Sequence, residues 1–311
     1  MSKAIRDAYG ESLLKYGKEN SSVVVLDADV SSSTKSCLFG QACPERFFNV
    51  GIAEANMVGM AAGLSAAGKI AFVNTFAVFL SSIGLISARA FASYSNMNIK
   101  FMGGYGGVSD SFDGPSHHAL EDIAIMRTLP NFKVFVAADE FQTDWLIKNA
   151  IDTDGPVYVR LSRDAAPPLY SPDTKFKNGK GNIVREGTDA TVIACGVMVS
   201  KALKAAELLE KENIQIRVVD MFCIKPLDRD LVLESASKTG AIITAEEHSI
   251  IGGLGSAVSE VLSSGNAKVP QSFIGTQDCH TESGPYLKLL EKYGMDETAV
   301  CTAVKEIIKR K

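Results

Sequence analysis

Glu54 is the only charged residue in the run Gly51-Ile52-Ala53-Glu54-Ala55-Asn56-Met57-Val58-Gly59-Met60-Ala61-Ala62-Gly63-Leu64, which is otherwise almost wholly apolar or small. Burial in such surroundings disfavours the charged form of a carboxyl group, so that it can hold or share a proton near neutral pH. A glutamate in a first helical turn also caps free backbone N–H groups and favours the helix dipole, here with Asn49 or Gly51 upstream. The segment alone leaves both roles open. Phe76 and Phe79 follow the apolar run Ile70 to Asn74, and their spacing would place both rings on one side of an opening helical turn. Two rings there either grip a flat heterocycle or fill core. Next comes the glycine-dense loop Gly103-Gly104-Tyr105-Gly106-Gly107, which leads to Asp113-Gly114-Pro115-Ser116-His117-His118. A histidine in that position titrates near neutrality and donates hydrogen bonds to substrate oxygens, or it caps the helix expected from Ala119.

The elements that must position these residues alternate along the chain. The pattern predicts a helix over 3–18 and strands at Val23 to Leu26 and Phe47 to Val50, then a helix from Ala53 to Ala66. It continues with the strand Ile70 to Asn74, a helix from Phe79 to Met97, the strand Ile99 to Gly103 and a helix from Ala119 to Arg127. Lys133 to Val136 and Val157 to Leu161 complete the strands around a helix at Phe141 to Ile151. Such alternation argues for an α/β fold with a parallel, doubly wound sheet, whose carboxyl edge presents ligand sites. Residues 1–165 form this first domain. Residues 166–187, rich in Pro-Pro, Pro-Asp and Asn-Gly breakers, read as a linker, and 188–311 as a second, smaller doubly wound α/β domain. In that domain Gly252-Gly253-Leu254-Gly255 lacks dinucleotide spacing and is taken as a tight structural turn rather than a phosphate cradle.

Length and composition exclude several classes. At 311 residues the chain is long enough for two domains, and a net charge of −4 gives no electrostatic footprint for nucleic acid. The six cysteines are scattered, without the close pairs of a zinc or redox motif, so no metal site is expected and free thiols in a reducing cytoplasm are. The first residues lack the apolar core of an export signal, and no apolar run reaches spanning length. The protein is expected to be cytoplasmic, neither exported nor embedded in a membrane.

The ordered series Asp27-Ala28-Asp29, Asn49-Val50-Gly51-Ile52-Ala53-Glu54, Thr75-Phe76-Ala77-Val78-Phe79, Asp113-Gly114-Pro115-Ser116-His117 and Leu161-Ser162-Arg163 resembles the C-terminal half of transketolases over essentially the whole chain. No Gly-Asp-Gly segment leading to an asparagine, the family's magnesium and diphosphate signature, occurs in the sequence. The chain therefore resembles the second subunit of a split transketolase, with a thiamine pyrimidine-binding domain followed by a transketolase C-terminal domain. The resemblance implies thiamine diphosphate held between chains, with Mg2+ on the diphosphate-binding N-terminal subunit, and a two-plus-two assembly. It implies that Glu54 hydrogen-bonds ring nitrogen N1′ of the cofactor and promotes the tautomer that deprotonates the thiazolium carbon. Phe76 and Phe79 match residues that stack on the pyrimidine, and Asp29 with Val30 matches positions beside the thiazolium. Asp113 and His117 match contacts to donor-sugar hydroxyls, and Arg163 with Ser33 matches contacts to the phosphate at the sugar's far end.

Three positions depart from the family. Ser82 stands where a third aromatic would complete the cofactor stack, and Tyr105 stands where a phosphate-binding histidine is usual, so a sulfonate or another altered tail on the sugar becomes a live alternative to phosphate. His118 replaces a glutamine, with no effect assigned. The function implied is transfer of a two-carbon ketol unit from a ketose to an aldose. Alternatives are the beta subunit of a 2-oxo-acid dehydrogenase, an enzyme similar to 1-deoxyxylulose-5-phosphate synthase, or a non-catalytic paralogue retained for assembly or regulation. The Asp113 to His117 segment favours ketol transfer, because sugar hydroxyls need such polar partners.

Overall fold

Short, near-continuous apolar runs become the central strands. Near-continuous apolar sequence is what a parallel sheet covered on both faces requires. The computed structural model describes residues 2–311 and contains a seven-stranded sheet in the spatial order Cys223–Lys225, Lys133–Val136, Val157–Arg160, Ile99–Gly104, Ile70–Phe76, Val23–Asp27, Phe47–Asn49. All neighbours are parallel except Cys223–Lys225, which lies antiparallel on Lys133–Val136. That edge strand comes from the second half of the chain, a crossing not read from the sequence. The helices Ile5–Glu19, Glu54–Ala66, Asp122–Thr128 and Glu140–Asp152 flank the sheet, the last capped by Asp139, whose carboxylate accepts the Gln142 N–H at 2.8 Å.

The second sheet has the order Gln271–Thr276, Ile242–Ser249, Ala190–Ala194, Ile216–Asp220, Asn182–Arg185. Asn182–Arg185 falls within the segment read as linker, yet it pairs antiparallel with Ile216–Asp220 as an edge strand. Lys3–Ala4 likewise pairs with Ala165–Ala166, and the first helix begins at Ile5. The run expected as one helix from Phe79 to Met97 is instead Ala77–Ser82 and Leu85–Ser87 followed by a π-helical turn, Ala88–Ser93. The bonds from Gly84 N–H to the Phe79 carbonyl and from Tyr94 N–H to the Arg89 carbonyl span five residues, which widens the helix while keeping its apolar face inward.

From the strand Val23–Asp27 the chain turns to one side of the sheet for Phe47–Asn49 and to the other for Ile70–Phe76, so their carboxyl ends flank a topological switch point, where open sheets of this kind bind ligands. The two domains are joined by a buried polar strut at the carboxyl end of the strand Val157–Arg160. Arg160 Nε donates to Asp122 at 2.9 Å, and its Nη2 donates to the carbonyls of Ala119 at 2.9 Å and Glu247 at 2.8 Å. Glu247 accepts the Val108 N–H at 2.8 Å and the Tyr286 hydroxyl at 3.1 Å. Burial pushes the Glu247 carboxyl up to about 7, against the pull of the Arg160 guanidinium. Removing one member of a buried ion pair strands the other, so Arg160→Ala is expected to lower unfolding free energy by about 3–5 kcal/mol, read as a drop in the urea midpoint. The isosteric Tyr158→Phe removes only a hydroxyl bond to Asp122, and its loss is expected to be about 1–2 kcal/mol.

Candidate active site

Each candidate side chain lies just beyond the carboxyl end of a strand in the first sheet. Asp29 and Val30 follow Val23–Asp27, Glu54 follows Phe47–Asn49, Phe76 ends Ile70–Phe76, the Tyr105 to His117 loop follows Ile99–Gly104, and Arg163 follows Val157–Arg160. Glu54 opens the helix Glu54–Ala66 and is only 3% exposed. Among the described residues its single hydrogen-bond partner is the Thr75 hydroxyl, 3.5 Å from Oε1, and it makes no capping bond to its own helix. The capping alternative is therefore set aside. Acceptor capacity on a buried carboxylate remains free for a partner outside the chain.

Thr75 and Phe76 are strand residues, registered against Gly103 and Gly104, so Phe76 does not share an opening helical turn with Phe79 as the spacing of the two rings suggested. The two extra residues of strand pairing carry Phe76 to the sheet edge, where the chain turns into Ala77–Ser82 with Phe79 on its first turn. Ring centroids of Phe76 and Phe79 are 6.0 Å apart. Tyr105 lies 4.5 Å from Phe76 on one side, and His117 meets both phenylalanines edge-on at 6.0 and 5.2 Å. A buried ring and a half-buried one, following Thr75, which bonds the buried Glu54 carboxyl, suit a flat heteroaromatic ring with a basic nitrogen. Ser82 is not brought into this cluster: it is exposed, and its hydroxyl turns back onto the Val78 carbonyl.

The loop from Asp27 is held from within. Asp27, buried, accepts the Val30 N–H at 2.7 Å, the Ser36 hydroxyl at 2.8 Å and the Thr34 hydroxyl at 3.1 Å. Burial raises its pKa from the ordinary value while these bonds pull it down. Asp29 takes the left-handed conformation at φ 68° and accepts the Asn49 amide at 2.8 Å, tying the Asp27 loop to the approach to Glu54.

At the far end, Tyr105 also has positive φ, 60°, and its ring is buried. Its hydroxyl accepts from Arg6 and donates to the Ser33 carbonyl at 3.4 Å, so it faces protein groups and not open solvent. Arg163 lies over the Tyr105 ring at 5.4 Å, and Arg6 at 5.7 Å. Arg163 Nη1 is 3.6 Å from Asp110 Oδ1. Asp113 is exposed beside Gly114, and His117 Nδ1 is 3.0 Å from the Ser116 hydroxyl. The neighbouring helix begins only at Asp122, with Glu121 at its cap, so His117 does not cap it.

Sequence reasoning missed Arg6, Asp110 and Thr75. Arg6 sits in the first helix, far from any motif, and only the tertiary fold brings it to Tyr105. Asp110 could have been noticed as an acid inside a loop of small residues. His118 is accounted for by packing: it is buried against the second domain, its Nδ1 2.5 Å from the Thr281 hydroxyl, and burial lowers its pKa. The turn reading of Gly252 to Gly255 holds, because the Glu246 carboxylate already accepts the Leu254 and Gly255 N–H groups at 2.7 Å each.

Comparison with known proteins places this geometry. Residues 1–168 match the family "Transketolase, pyrimidine binding domain" and residues 179–300 match "Transketolase, C-terminal domain". The chain is 40% identical over 310 residues to a protein of Methanocaldococcus jannaschii described as a putative transketolase C-terminal section, covering 99% of this chain and 97% of that one. It is 39% identical to a 6-deoxy-6-sulfo-D-fructose transketolase subunit of Clostridium sp. (strain MSTE9), covering 99% and 95%. Human transketolase is 38% identical over 316 residues, but there 99% of this chain covers 49% of the relative. A solved structure described as a split gene transketolase, inactive beta4 tetramer, superposes with a TM-score of 0.92 at 50% identity, covering 98% of both chains.

The loop carrying Asp113 and His117 depends on Gly107, whose φ is 68° and where a Cβ would stand 2.4 Å from the Glu247 carboxyl carbon. That carboxyl is tied to Val108 and Tyr286 and cannot swing away without losing both bonds. Gly107→Ala is expected to cost about 2–5 kcal/mol, the sum of a left-handed alanine and an overpacked contact, measured by urea denaturation.

Proposed function

The chain belongs to the transketolase family, and we propose that it works as the C-terminal subunit of a split transketolase, moving a two-carbon ketol unit from a ketose to an aldose only when paired with an N-terminal subunit. The observation that carries this reading is Glu54: a buried carboxylate with one weak internal partner, set beside the Phe76 and Phe79 rings at the switch point of the sheet. The residues fit the pyrimidine end of thiamine diphosphate, and its diphosphate with Mg2+ is assigned to the partner subunit. When bound, that cofactor supplies the carbanion chemistry of carbon–carbon cleavage and formation.

The protein's own residues do the rest. Glu54 would hydrogen-bond the ring nitrogen through its buried carboxyl. Phe76 and Phe79 orient the ring, and Asp29 with Val30 borders its reactive side. Asp113 and His117 take the hydroxyls of the sugar, and Arg163 with Ser33 and Tyr105 surrounds the sugar's far end. A planar guanidinium suits an oxyanion there, whether phosphate or sulfonate.

Two further features support assembly. Helix Glu54–Ala66 packs on the segment Leu85–Ser93, and Ile52 (83%), just before the first, with Ile86 (80%) and Tyr94 (88%), in and just after the second, are exposed. Large apolar side chains exposed on packed neighbouring elements suit an interface. We read this as the face used in a two-plus-two assembly. The six cysteines are all unpaired, which suits a reducing cytoplasm, and no helix among the described residues is long and apolar enough to cross a membrane.

Reconstitution tests the reading. Mixed with an N-terminal-type transketolase chain, thiamine diphosphate and Mg2+, the protein is expected to transfer a ketol unit, and alone to transfer none. Transfer by the single chain would refute the split arrangement, and no transfer by the mixture with any ketose would favour a non-catalytic subunit. In the active complex, Glu54→Gln keeps the shape and removes the carboxylate. Exchange of the cofactor's thiazolium C–H with deuterium, followed by NMR, is expected to slow by about 10²–10⁴-fold. Unchanged exchange would remove Glu54 from its role.

A further inference from the structure

The far end of the site contains a carboxylate that the roles above leave unused. Asp110 is fully buried, and neither of its oxygens has a hydrogen-bond partner among the described residues. An unpartnered buried carboxylate is costly to keep, so the charges around it weigh heavily on its behaviour. Its ion-pair partner is Arg163, 3.6 Å away, whose side chain is 35% exposed and is the guanidinium assigned to the donor's tail. The other charged groups facing this corner are Asp113 beside Asp110, Arg6 on the first helix, and Asp164, which lies near both arginines. Carboxylates thus outnumber guanidiniums around the point where a terminal phosphate would sit.

We propose that Asp110 is a specificity-determining residue which, by pairing with Arg163, withholds that guanidinium from a doubly charged tail, so that the donor ketose ends in a group with at most one negative charge and not in a phosphate. This rests on the split-transketolase reading and narrows its substrate class. Asp110 acts through Arg163, which keeps its own charge throughout. Protonating Asp110 ends the pairing and returns the guanidinium to the substrate, whereas ionising it restores the competition. Burial, with the negative charge of Asp113, pushes the Asp110 carboxyl up to about 7. Rejection of charged tails therefore weakens as pH falls below about 7 and strengthens as it rises above.

The test uses the complete two-chain complex with cofactor and two ketose donors of one carbon skeleton, one ending in phosphate and one in a hydroxyl. The readout is the ratio of their KM values, phosphate over hydroxyl. Asp110→Asn is expected to lower that ratio by about tenfold or more, the scale of a hydrogen bond to a charged group. A purely structural role would move both KM values together, so an unchanged ratio overturns the proposal. A second measurement needs no variant: with the wild-type complex, a sulfonate-tailed ketose, which does not titrate in this range, is compared with the hydroxyl-tailed one between about pH 6 and 8. The sulfonate-over-hydroxyl ratio of KM is expected to rise with pH, and a flat ratio overturns the proposal. Turnover with flat ratios would remove the role of Asp110 alone. Absence of turnover with every donor would instead remove the functional reading, and this inference with it.

Discussion

The burial of one carboxylate at the edge of a parallel sheet is the constraint on which the other features depend. Glu54 is placed by two independent facts: the short strand Phe47–Asn49 delivers the chain to the start of an apolar helix, and the neighbouring strand Ile70–Phe76 brings Thr75 within reach of it. Charge in such surroundings is unfavourable unless a partner satisfies it. Thr75 at 3.5 Å is a weak partner, which leaves acceptor capacity on the carboxylate. In the proposed function, the two phenylalanines would set where a flat ring lies, and the glycine-rich loop how closely a sugar approaches it.

The second domain works as a buttress. Arg160, Asp122 and Glu247 form a buried polar strut, and Val108 hangs from the Glu247 carboxylate. His118 meets Thr281, and the Gly284 N–H reaches the Ser111 carbonyl. The loop bearing Asp113 and His117 is thereby fixed at both ends by residues more than a hundred positions away. Since positioned polar groups act only when held in place, this support is part of the site even though it touches no substrate. The edge strand Cys223–Lys225, lent to the first sheet, fastens the same two bodies from the other side.

Much of this was legible in the residues. Strands such as Val23–Asp27 and Lys133–Val136 are apolar but for one charged terminal residue, because both faces of the sheet are covered, and the helix at Glu54 follows from its small and apolar composition. The motif series, taken in order, identified the family and brought Phe76, Phe79, Tyr105 and His117 onto one short list, and the fold gathers these four rings. Where reading failed, long-range effects decided. Phe76 was drawn into strand pairing by its neighbour in register, Gly104, which no local pattern reveals. The helix expected over 79–97 keeps the right periodicity, yet its bonds to the fifth residue depend on packing. Asn182–Arg185 resembles linker because edge strands carry mixed polarity.

What the sequence determined by itself is the inventory: an acid among apolar residues, aromatic pairs at fixed spacing, a glycine-dense loop, and the alternation that builds a doubly wound sheet. These are local properties, set by propensity, period and side-chain type. Only the tertiary structure decided which charges meet. Arg6 reaches Tyr105 across 99 positions, and Arg163 comes to Asp110 across a turn of the sheet. Electrostatic energy depends on distance in space and on exclusion of water, and separation along the chain constrains neither.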